Sequence, residues 1–229
     1  MLNRIQGLIM KRKNLYKMVN ENEIIEANAF VDPFPHIIVD NFYNPEELKL
    51  IWEELNYYTK PGKLLNAKDF GGVIDKTNSH ALILDNIYNN INLSNILQVN
   101  RKLFTCGIIN EFCNLHPCCS HANICNYDIT KIRYYHEGEY YQPHVDIQFD
   151  FLSFSYFYKE PKKFDGGELI FPDHDYSYNC ENNSMIIMPS WVKHGVNDVS
   201  MQDPDYSDYF DGWGRYAITN FLSYQKNEN

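Results

Sequence analysis

The sequence predicts a mainly β fold of the α+β class, in which helices precede a β-sandwich or barrel. Two patterns support this prediction. From residue 129 onward, short segments rich in Tyr, Phe, Ile and Val are separated by Gly, Pro, Asn and Asp, which is typical of sandwiches and barrels. Before that point, two segments carry apolar residues at helical spacing. A chain of 229 residues with 44% hydrophobic content can bury the core of one such domain.

The N-terminal elements follow from local signals. Residues 1–30 are polar and lack clear periodicity, so we expect a loosely ordered arm. The stretch 34–40 predicts a short strand. Asn44 and Pro45, followed by two acidic residues, form the N-terminal signature of a helix. The apolar stripe of this helix consists of Leu48, Ile51, Trp52 and Leu55.

A second helix is predicted from about Asn95 to Phe112. Apolar residues cover much of its circumference, so it should be well buried. The β-rich segments that follow span residues 131–135, 141–149, 152–158, 167–171, 184–188, 195–199 and 215–223. We therefore expect one domain over residues 31–224, with helical support over 44–128 and the β core over 129–224.

The composition argues against two classes of partner. A formal charge of -10 at pH 7 opposes nucleic-acid phosphates and anionic lipid surfaces. No run approaches the ~18 apolar residues of a membrane span, and the basic residues 11–13 follow a short apolar stretch, the reverse of a secretory signal. We expect a cytoplasmic protein. Its cysteines should be reduced, because most of them crowd together in a layout that does not suit disulfides.

One group of residues has the pattern of a metal site. His144 and Asp146 are two positions apart, which directs both side chains to the same face of a strand. About one such match is expected by chance in this composition, so the pair alone is weak evidence. His194 follows 50 residues after His144, where a third ligand could return across a sandwich. Two imidazoles and one carboxylate leave room on an octahedral ion for a bidentate cosubstrate and dioxygen, which suits Fe(II), whereas structural zinc prefers four protein ligands.

Arg215 begins the last β-rich segment. Every second residue of that segment, Arg215, Ala217 and Thr219, shares one face of the strand. If this face points into the barrel, the guanidinium is a buried cation that needs an anionic partner. A dicarboxylate ligand would provide that partner through a bidentate pair. The alternative is an arginine at a sheet edge that extends to solvent.

Four blocks of sequence together resemble a known family. They are Tyr135-x-x-Gly138-x-x-Tyr141-x-Pro143-His144-x-Asp146, Gly166-Gly167-Glu168-Leu169-x-Phe171-Pro172, Pro189-Ser190-Trp191-x-x-His194-x-Val196 and Arg215-Tyr216-Ala217-Ile218-Thr219. In this order they resemble the catalytic core of prolyl 4-hydroxylase-like 2-oxoglutarate oxygenases, over about residues 130–223. The strand and helix of residues 34–55 are similar to the element that leads into that core. Residues 60–128 match no part of the family.

The resemblance implies a double-stranded β-helix, or jelly-roll, whose mouth holds the metal. It implies that His144, Asp146 and His194 bind Fe(II), that the cosubstrates are 2-oxoglutarate and O2, and that ascorbate is a further candidate cofactor. The expected reaction hydroxylates an unactivated C–H bond while 2-oxoglutarate is converted to succinate and carbon dioxide. The expected substrate is a peptidyl proline or a related side chain, with a free amino acid or small metabolite as the alternative.

The resemblance also assigns the cosubstrate pocket. It implies that Arg215 receives the C5 carboxylate of 2-oxoglutarate and that Thr219 assists. Tyr135 and Tyr141 would line the pocket, although each belongs to a tyrosine pair, so the register could shift by one residue. Arg215 lies 21 positions after His194, a longer interval than the family usually has, and we interpret residues 201–214 as an inserted loop beside the site. Lys193 is a rival cation, but it should face the opposite side of a strand from His194.

Four other interpretations remain. The cysteines and histidines of residues 113–125 are dense enough for a zinc site, but their spacing does not form a paired Cys-x-x-Cys module. An oxygenase that dealkylates nucleic-acid bases would carry a further arginine six positions after Arg215, where this chain has Phe221. A halogenase would lack the carboxylate of Asp146. Finally, a non-enzymatic jelly-roll could hold a structural metal, although all three ligand types are intact.

Overall fold

A computed structural model describes residues 12–20, 23–70, 76–202 and 208–226 of the chain. The first strands are β1 (Arg12–Asn20), β2 (Glu23–Phe30), β3 (His36–Val39), β4 (Leu65–Asn66), β5 (Thr77–Asn78), β6 (His80–Ile83), β7 (Tyr127–Tyr135) and β8 (Tyr140–His144). The later strands are β9 (Phe151–Phe157), β10 (Phe164–Gly166), β11 (Leu169–Phe171), β12 (Tyr176–Tyr178), β13 (Ser184–Pro189), β14 (His194–Val196), β15 (Val199–Met201) and β16 (Arg215–Ser223). The α-helices are α1 (Pro45–Tyr58), α2 (Asn95–Asn100), α3 (Lys102–Thr105) and α4 (Ile108–Leu115).

The strands form two large antiparallel sheets. The major sheet has the order β1-β2-β3-β13-β9-β16-β7-β6-β4, and the minor sheet has the order β12-β11-β14-β8-β5, while β10 and β15 pair separately. An apolar cluster that includes Leu152 and Ile186 of the major sheet and Leu169 and Val196 of the minor sheet lies between them. This two-sheet arrangement with flanking helices confirms the predicted α+β jelly-roll.

Strand β16 shows how the sequence pattern separates two cores. Tyr216, Ile218 and Leu222 pack with the helices in one buried cluster. Ala217 and Phe221 belong to the other cluster, between the two sheets. Because successive side chains of a strand point to opposite faces, the inner face also carries Arg215 and Thr219. The major sheet is therefore the middle layer of three.

Helix α1 begins as its sequence predicts. The side chain of Asn44 accepts hydrogen bonds from the backbone N–H groups of Glu46 and Glu47, and the Glu47 carboxylate bonds back to the Asn44 N–H. This capping box satisfies backbone donors that the first turn would otherwise leave open. Ile51 and Leu55 are buried, and the ring centroid of Trp52 lies 5.5 Å from that of Tyr216. The predicted stripe thus fixes α1 to the outer face of the major sheet.

The second predicted helix is broken. The segment from Asn95 to Phe112 forms α2, α3 and the start of α4 instead of one continuous helix. Gly107 has a φ of 87°, in the left-handed region that glycine adopts without steric cost. The chain changes direction there. The apolar periodicity continues across this break, because the break depends on the backbone conformation of Gly107 and not on the pattern of side chains.

The N-terminal region differs from the loose arm that its polarity suggested. Strands β1 and β2 pair with each other, and β2 pairs with β3 at the edge of the major sheet. Ile25, Ala27 and Ala29 alternate along β2 and are buried. This short period-two pattern was obscured by the polar residues around it. Residues 1–11 lie outside the described part of the chain.

Two of the predicted strands are shorter than the pattern indicated. Strand β8 ends at His144 and does not continue to Phe149, and the segment 195–199 is divided between β14 and β15.

Among the described residues, no helix is long and apolar enough to cross a membrane.

Candidate active site

Strands β8 and β14 bring the two candidate imidazoles together. His194 is the direct cross-strand partner of His144, and their ring centroids are 4.6 Å apart. The Asp146 carboxylate lies 3.8 Å from Nε2 of His144 and 3.6 Å from Nε2 of His194. The candidate ligand atoms of the three residues all lie within 4.8 Å of one another. One divalent cation could therefore contact all three side chains.

Asp146 occupies a turn, not the strand that its spacing from His144 suggested. Its backbone N–H donates to the carbonyl oxygen of Ser190 at 3.2 Å, and its own carbonyl accepts from the Phe149 N–H at 3.0 Å. Ser190 begins the connection to β14, so these bonds tie the carboxylate to the strand that carries the second imidazole. The turn, together with the strand, places the carboxylate.

The hydrogen bonds of the imidazoles define their tautomers. Nδ1 of His144 lies 3.0 Å from the carbonyl oxygen of Gln142, and Nδ1 of His194 lies 2.9 Å from that of Val192. A carbonyl oxygen only accepts, so each Nδ1 carries the proton and each Nε2 presents a lone pair. The two lone pairs and the Asp146 carboxylate then face one another without a donor between them. Such a set of acceptors suits a cation, and backbone carbonyls commonly orient metal-binding histidines in this way.

Electrostatics favour the neutral imidazoles that a metal requires. Burial, reinforced by the neighbouring His194, lowers the pKa of His144 to about 4. Burial also lowers the pKa of His194. Both rings are therefore neutral near pH 7 and available to coordinate, since protons do not compete for Nε2.

The three side chains border a cavity that enters the space between the two sheets. Arg215, Tyr135 and Tyr156 also line it. The Arg215 side chain is buried, and the centre of its guanidinium lies 5.0 Å from the ring of Tyr135 and 4.8 Å from that of Tyr156. The cavity thus has acceptor ligands on one wall and a buried cation on another.

Among the described residues, no carboxylate pairs with Arg215. Its Nη2 contacts the Cys180 sulfur at 3.4 Å, and its Nε and Nη1 have no hydrogen-bond partner among the described residues. The buried Tyr156 hydroxyl also has no partner there, and burial raises its pKa, so it remains a donor. Buried donors without partners are costly. They identify a place where a carboxylate ligand fits.

Glycines provide the space that Arg215 occupies. A Cβ atom on Gly167 would lie 2.8 Å from Cδ of Arg215, and one on Gly214 would lie 2.1 Å from the carbonyl oxygen of Tyr135. A Cβ on Gly166 would approach the Asp198 carbonyl oxygen to 2.0 Å. The Gly166-Gly167 block therefore has a steric role beside the guanidinium.

The other sequence candidates also border the cavity. Tyr135, Tyr141 and Thr219 line it, and the Tyr141 ring stacks on that of His144 at 3.9 Å between centroids. Tyr134 lies on the opposite face, where its hydroxyl accepts from the Gly214 N–H. The rings of Tyr135 and Tyr141 therefore reach the cavity, whereas that of Tyr134 does not.

Lys193, the rival cation, lies away from the cavity. Its Nζ is 3.4 Å from a carboxylate oxygen of Asp173, and both side chains are largely exposed. It immediately precedes His194, one position before β14 begins, and its side chain lies at the surface.

Three polar cavity residues were not identified as site candidates from the sequence. Tyr156 lies on β9, and Lys131 and Arg133 precede Tyr135 on β7; all three line the cavity. Alternation from Tyr135 could have identified Arg133 and Lys131, because residues two and four positions earlier share its face. Nothing in the sequence of β9 singles out Tyr156, since the same strand also carries Phe151, Phe154 and Phe157.

The described end of the 201–214 segment adjoins Arg215 through Gly214. Tyr209 packs on the helix side of the major sheet, where its hydroxyl lies 2.6 Å from Nδ1 of His80 and also bonds Glu139. Trp213 packs against the inner cluster. The loop therefore contacts both faces of the sheet beside the start of β16, while residues 203–207 lie outside the described part.

The cysteine-rich segment does not assemble a second metal centre. Within the described residues, the triad is the one group of three or more His, Cys, Asp or Glu side chains close enough to share an ion. Nδ1 of His116 lies 3.0 Å from the sulfur of Cys118, which is 3.7 Å from that of Cys119. All six cysteines are free thiols.

Comparisons with known proteins agree with this site. Residues 130–223 match the family model of the 2OG-Fe(II) oxygenase superfamily. No curated protein matches the sequence.

Solved structures show the same fold at low sequence identity. A prolyl-4-hydroxylase from Pseudomonas putida is 14% identical, with a TM-score of 0.54 over 82% of this chain and 92% of that one. A 2OG-Fe(II) oxygenase family oxidoreductase from Burkholderia pseudomallei is 14% identical, with a TM-score of 0.55 over 83% of this chain and 86% of that one. A prolyl hydroxylase from Trichoplax adhaerens, solved with a hypoxia inducible factor peptide, is 12% identical, with a TM-score of 0.54 over 82% of this chain and 83% of that one.

The family match covers the strands that carry the triad and Arg215. Residues 130–223 therefore resemble the 2OG-Fe(II) oxygenase superfamily in sequence and carry the candidate triad, and that superfamily implies Fe(II) and 2-oxoglutarate as cofactor and cosubstrate.

Proposed function

We propose that this oxygenase is a prolyl 4-hydroxylase-like enzyme that hydroxylates a peptidyl proline or a related side chain. One observation supports the chemistry above all others. A triad of acceptors and a buried arginine with unpartnered donors border the same cavity. This arrangement matches a metal at one end of a keto acid and a cation at the other.

The protein residues divide the work of binding. His144, Asp146 and His194 would hold Fe(II), which supplies the oxidative chemistry when 2-oxoglutarate and O2 are present. Arg215 and Tyr156 would receive the C5 carboxylate of the cosubstrate, with Thr219 assisting. The apolar and aromatic walls limit the access of water, so positioning and desolvation are the contributions of the protein.

An exposed apolar rim supports a peptide substrate. Val145 and Ile147 flank Asp146, and Ile147 is 79% exposed. Trp191 follows Ser190, which bonds the Asp146 backbone, and is 52% exposed. Exposed apolar groups beside a catalytic cleft are typical of sites that contact a polypeptide. The Trichoplax adhaerens enzyme of similar fold was solved with a peptide, which makes peptides the first substrates to test.

A free amino acid or small acid is the second candidate. Lys131 and Arg133 line the cavity and an adjoining space of about 830 Å³. Cationic walls favour a small substrate with a carboxylate as well as an acidic peptide. These basic side chains therefore support a small substrate with a free carboxyl group as the second candidate.

Succinate release from 2-oxoglutarate tests the proposal directly. The purified protein would be supplied with Fe(II), ascorbate and 2-oxoglutarate, together with proline-containing peptides, free amino acids or nucleotides. We expect peptides to stimulate succinate release above the level without substrate, with a mass increase of one oxygen in the stimulating peptide. Stimulation by free amino acids alone would replace the peptide proposal with the small-molecule one. Stimulation by nucleotides alone would contradict both.

A further inference from the structure

Strand β7 places two basic side chains on the cavity wall of an acidic protein. Lys131, Arg133 and Tyr135 occupy alternate positions on β7 and line the cavity. Arg133 is only 9% exposed, although the chain as a whole carries a formal charge of -10. Burial of a cation is costly unless an anion or several good acceptors compensate it.

The contacts of Arg133 are to neutral groups. Its Nη1 donates to the Ser79 hydroxyl at 2.7 Å and reaches that of Thr77 at 3.5 Å. The guanidinium centre lies 4.7 Å from the Tyr141 ring. Among the described residues, no carboxylate forms an ion pair with Arg133. Hydroxyls and an aromatic face fix its position but leave its charge unbalanced.

Arg133 is close to the metal site through one ring. Tyr141 lies between them, since it contacts the guanidinium and also stacks on His144 at 3.9 Å between centroids. A group bound by Arg133 would therefore lie beside the reacting position, where a substrate has to be held.

The cosubstrate does not account for both cations. Arg215 pairs with Tyr135 across the sheet, Ala217 pairs with Arg133 and Thr219 pairs with Lys131. At about 3.4 Å per residue, Lys131 lies roughly 14 Å along the sheet from the Arg215 end. Four C–C bonds of about 1.5 Å separate the carboxyl carbons of 2-oxoglutarate by at most ~6 Å. A keto acid anchored at Arg215 thus ends well before Lys131.

The two cations also face a second space. Arg133 and Lys131 border the adjoining chamber of about 830 Å³, which Gln148, Phe149 and Phe221 line as well and which Arg215 does not reach. Asp146 lies where this chamber meets the inner cavity, because it lines both. The outer chamber is therefore the open side of the metal site.

We propose that the outer chamber is a carboxylate subsite, in which Arg133, with Lys131 beside it, binds an anionic group of the substrate next to the position that is oxidised. This inference rests on the proposed function and narrows its substrate class. The carboxylate comes either from an acidic residue of a peptide or from the free carboxyl group of a small acid.

Matched substrate pairs test the subsite. Succinate release would be measured with the Fe(II)-loaded full chain for peptides that differ only by Glu or Gln beside proline, and for amino acids with a free or amidated carboxyl group. We expect the carboxylate member of a pair to have at least about tenfold higher kcat/KM, since a hydrogen-bonded charge pair contributes roughly this much. Preference within the peptide pairs identifies a side chain as the source, and preference within the amino acid pairs identifies a free carboxyl group.

Arginine variants separate this role from a structural one. Arg133→Gln should reduce the preference to less than about twofold, while Arg133→Lys should retain part of it because the charge remains. Arg101→Gln is the matched control, since Arg101 pairs with Asp128 and does not line the cavity. If Arg133 only positioned Tyr141, its variants would slow both members of every pair equally, and that result would overturn the inference.

The affinity for 2-oxoglutarate distinguishes a failure of the carboxylate subsite from a failure of the proposed function. Binding of 2-oxoglutarate would be titrated anaerobically in the Fe(II)-loaded wild type and variants. We expect Arg133→Gln to change this affinity by less than about threefold, whereas Arg215→Gln should weaken it severely. Equal losses in the two variants would assign Arg133 to the cosubstrate and reject the subsite. A wild type that binds no 2-oxoglutarate would reject the proposed function itself, and a wild type that binds it without any carboxylate preference would reject only the inference.

Discussion

Arg215 makes one end of the cavity chemically different from the end that carries the triad. Its guanidinium is fully enclosed, touches two aromatic rings and has two nitrogens without partners among the described residues. A buried charge in such surroundings destabilises the folded protein unless a ligand balances it. The candidate metal triad alone would suit many reactions, and under the proposed function this cation restricts the ligand to one with a carboxylate at the far end.

Replacement of Arg215 by Gln should separate ligand binding from folding. We expect 2-oxoglutarate to bind about 100-fold more weakly, or roughly 3 kcal/mol, because the variant removes a buried charge pair with the ligand. The stability of the protein without ligand should be unchanged or higher, because an uncompensated buried charge is gone. Anaerobic titration calorimetry and thermal unfolding measure the two quantities.

Tyr156→Phe is the graded comparison for this prediction. It removes a single hydroxyl from the same end of the cavity and should weaken binding by about fivefold. If Arg215→Gln binds 2-oxoglutarate as tightly as the wild type, the assignment of the C5 carboxylate to Arg215 is wrong.

The sequence was most informative for residues whose identity is tied to a spacing. The pair His144 and Asp146 and the later His194 could be selected because metal ligands need particular side chains at particular intervals. Tyr156 could not be selected, because its role depends on burial beside Arg215, and burial of one aromatic among many is a tertiary property. The same holds for Arg133, whose lack of a carboxylate partner among the described residues is also a tertiary property.

At the scale of elements, register does most of the positioning. His194 pairs directly with His144, and Arg215 pairs directly with Tyr135. Antiparallel pairing holds opposite residues at about 5 Å, so each half of the site is assembled by one pair of strands. A shift of one residue in either pair would move a functional side chain to the other face.

The elements that the sequence predicted incorrectly are those where periodicity conflicts with backbone geometry. The helix predicted over residues 95–112 breaks at Gly107, whose positive φ interrupts an otherwise continuous apolar pattern. Strand β2 was missed because small alanines carry its buried face. In both cases the pattern of side chains was present, but the backbone decided the element.

Replacement of Gly107 by Ala tests this explanation of the helix break. A non-glycine residue at a φ of 87° should cost about 1–2 kcal/mol of the free energy of unfolding. Gly107→Asn should cost less, since asparagine tolerates the left-handed region. Urea denaturation of the three proteins gives the values. Equal stability of the wild type and the alanine variant would mean that the break relaxes without strain.

At the scale of the whole molecule, the major sheet separates the core that packs against the helices from the cavity that lies between the two sheets. Its outer face packs with α1, α2 and α4 through the larger apolar cluster, while its inner face carries the cavity residues. The jelly-roll itself could be predicted from the β-rich second half and the four sequence blocks. The extension of the sheet by β4 and β6 could not, because residues 60–128 match no family pattern and their pairing is long-range. The extension by β1 and β2 could not, because these strands lie in the polar N-terminal region that lacks clear periodicity.

The packing of β3 against the minor sheet predicts a pH dependence of stability. His36 is fully buried among Phe30, Phe34 and Tyr176, and burial lowers its pKa from 6.5 to about 4. Below pH 6.5, His36 becomes protonated in the unfolded chain but stays neutral in the folded protein. The free energy of unfolding therefore falls as the pH drops from 6.5 to 4. The loss should approach ~3 kcal/mol, at about 1.4 kcal/mol for each pKa unit.

The variant His36→Phe isolates this contribution from those of the other buried histidines. Urea denaturation at pH 7 and pH 4.5 should show a smaller pH effect in the variant than in the wild type, because phenylalanine does not titrate. An identical pH effect in both proteins would show that His36 is not the group responsible.

We infer that His144, Asp146 and His194 hold one ferrous ion to which 2-oxoglutarate binds. Anaerobic addition of Fe(II) and 2-oxoglutarate to the wild type should produce a weak visible charge-transfer band, and Asp146→Ala should lack it because one of the three ligands is removed. Absence of the band in the wild type, or its persistence at full strength in the variant, would contradict the account.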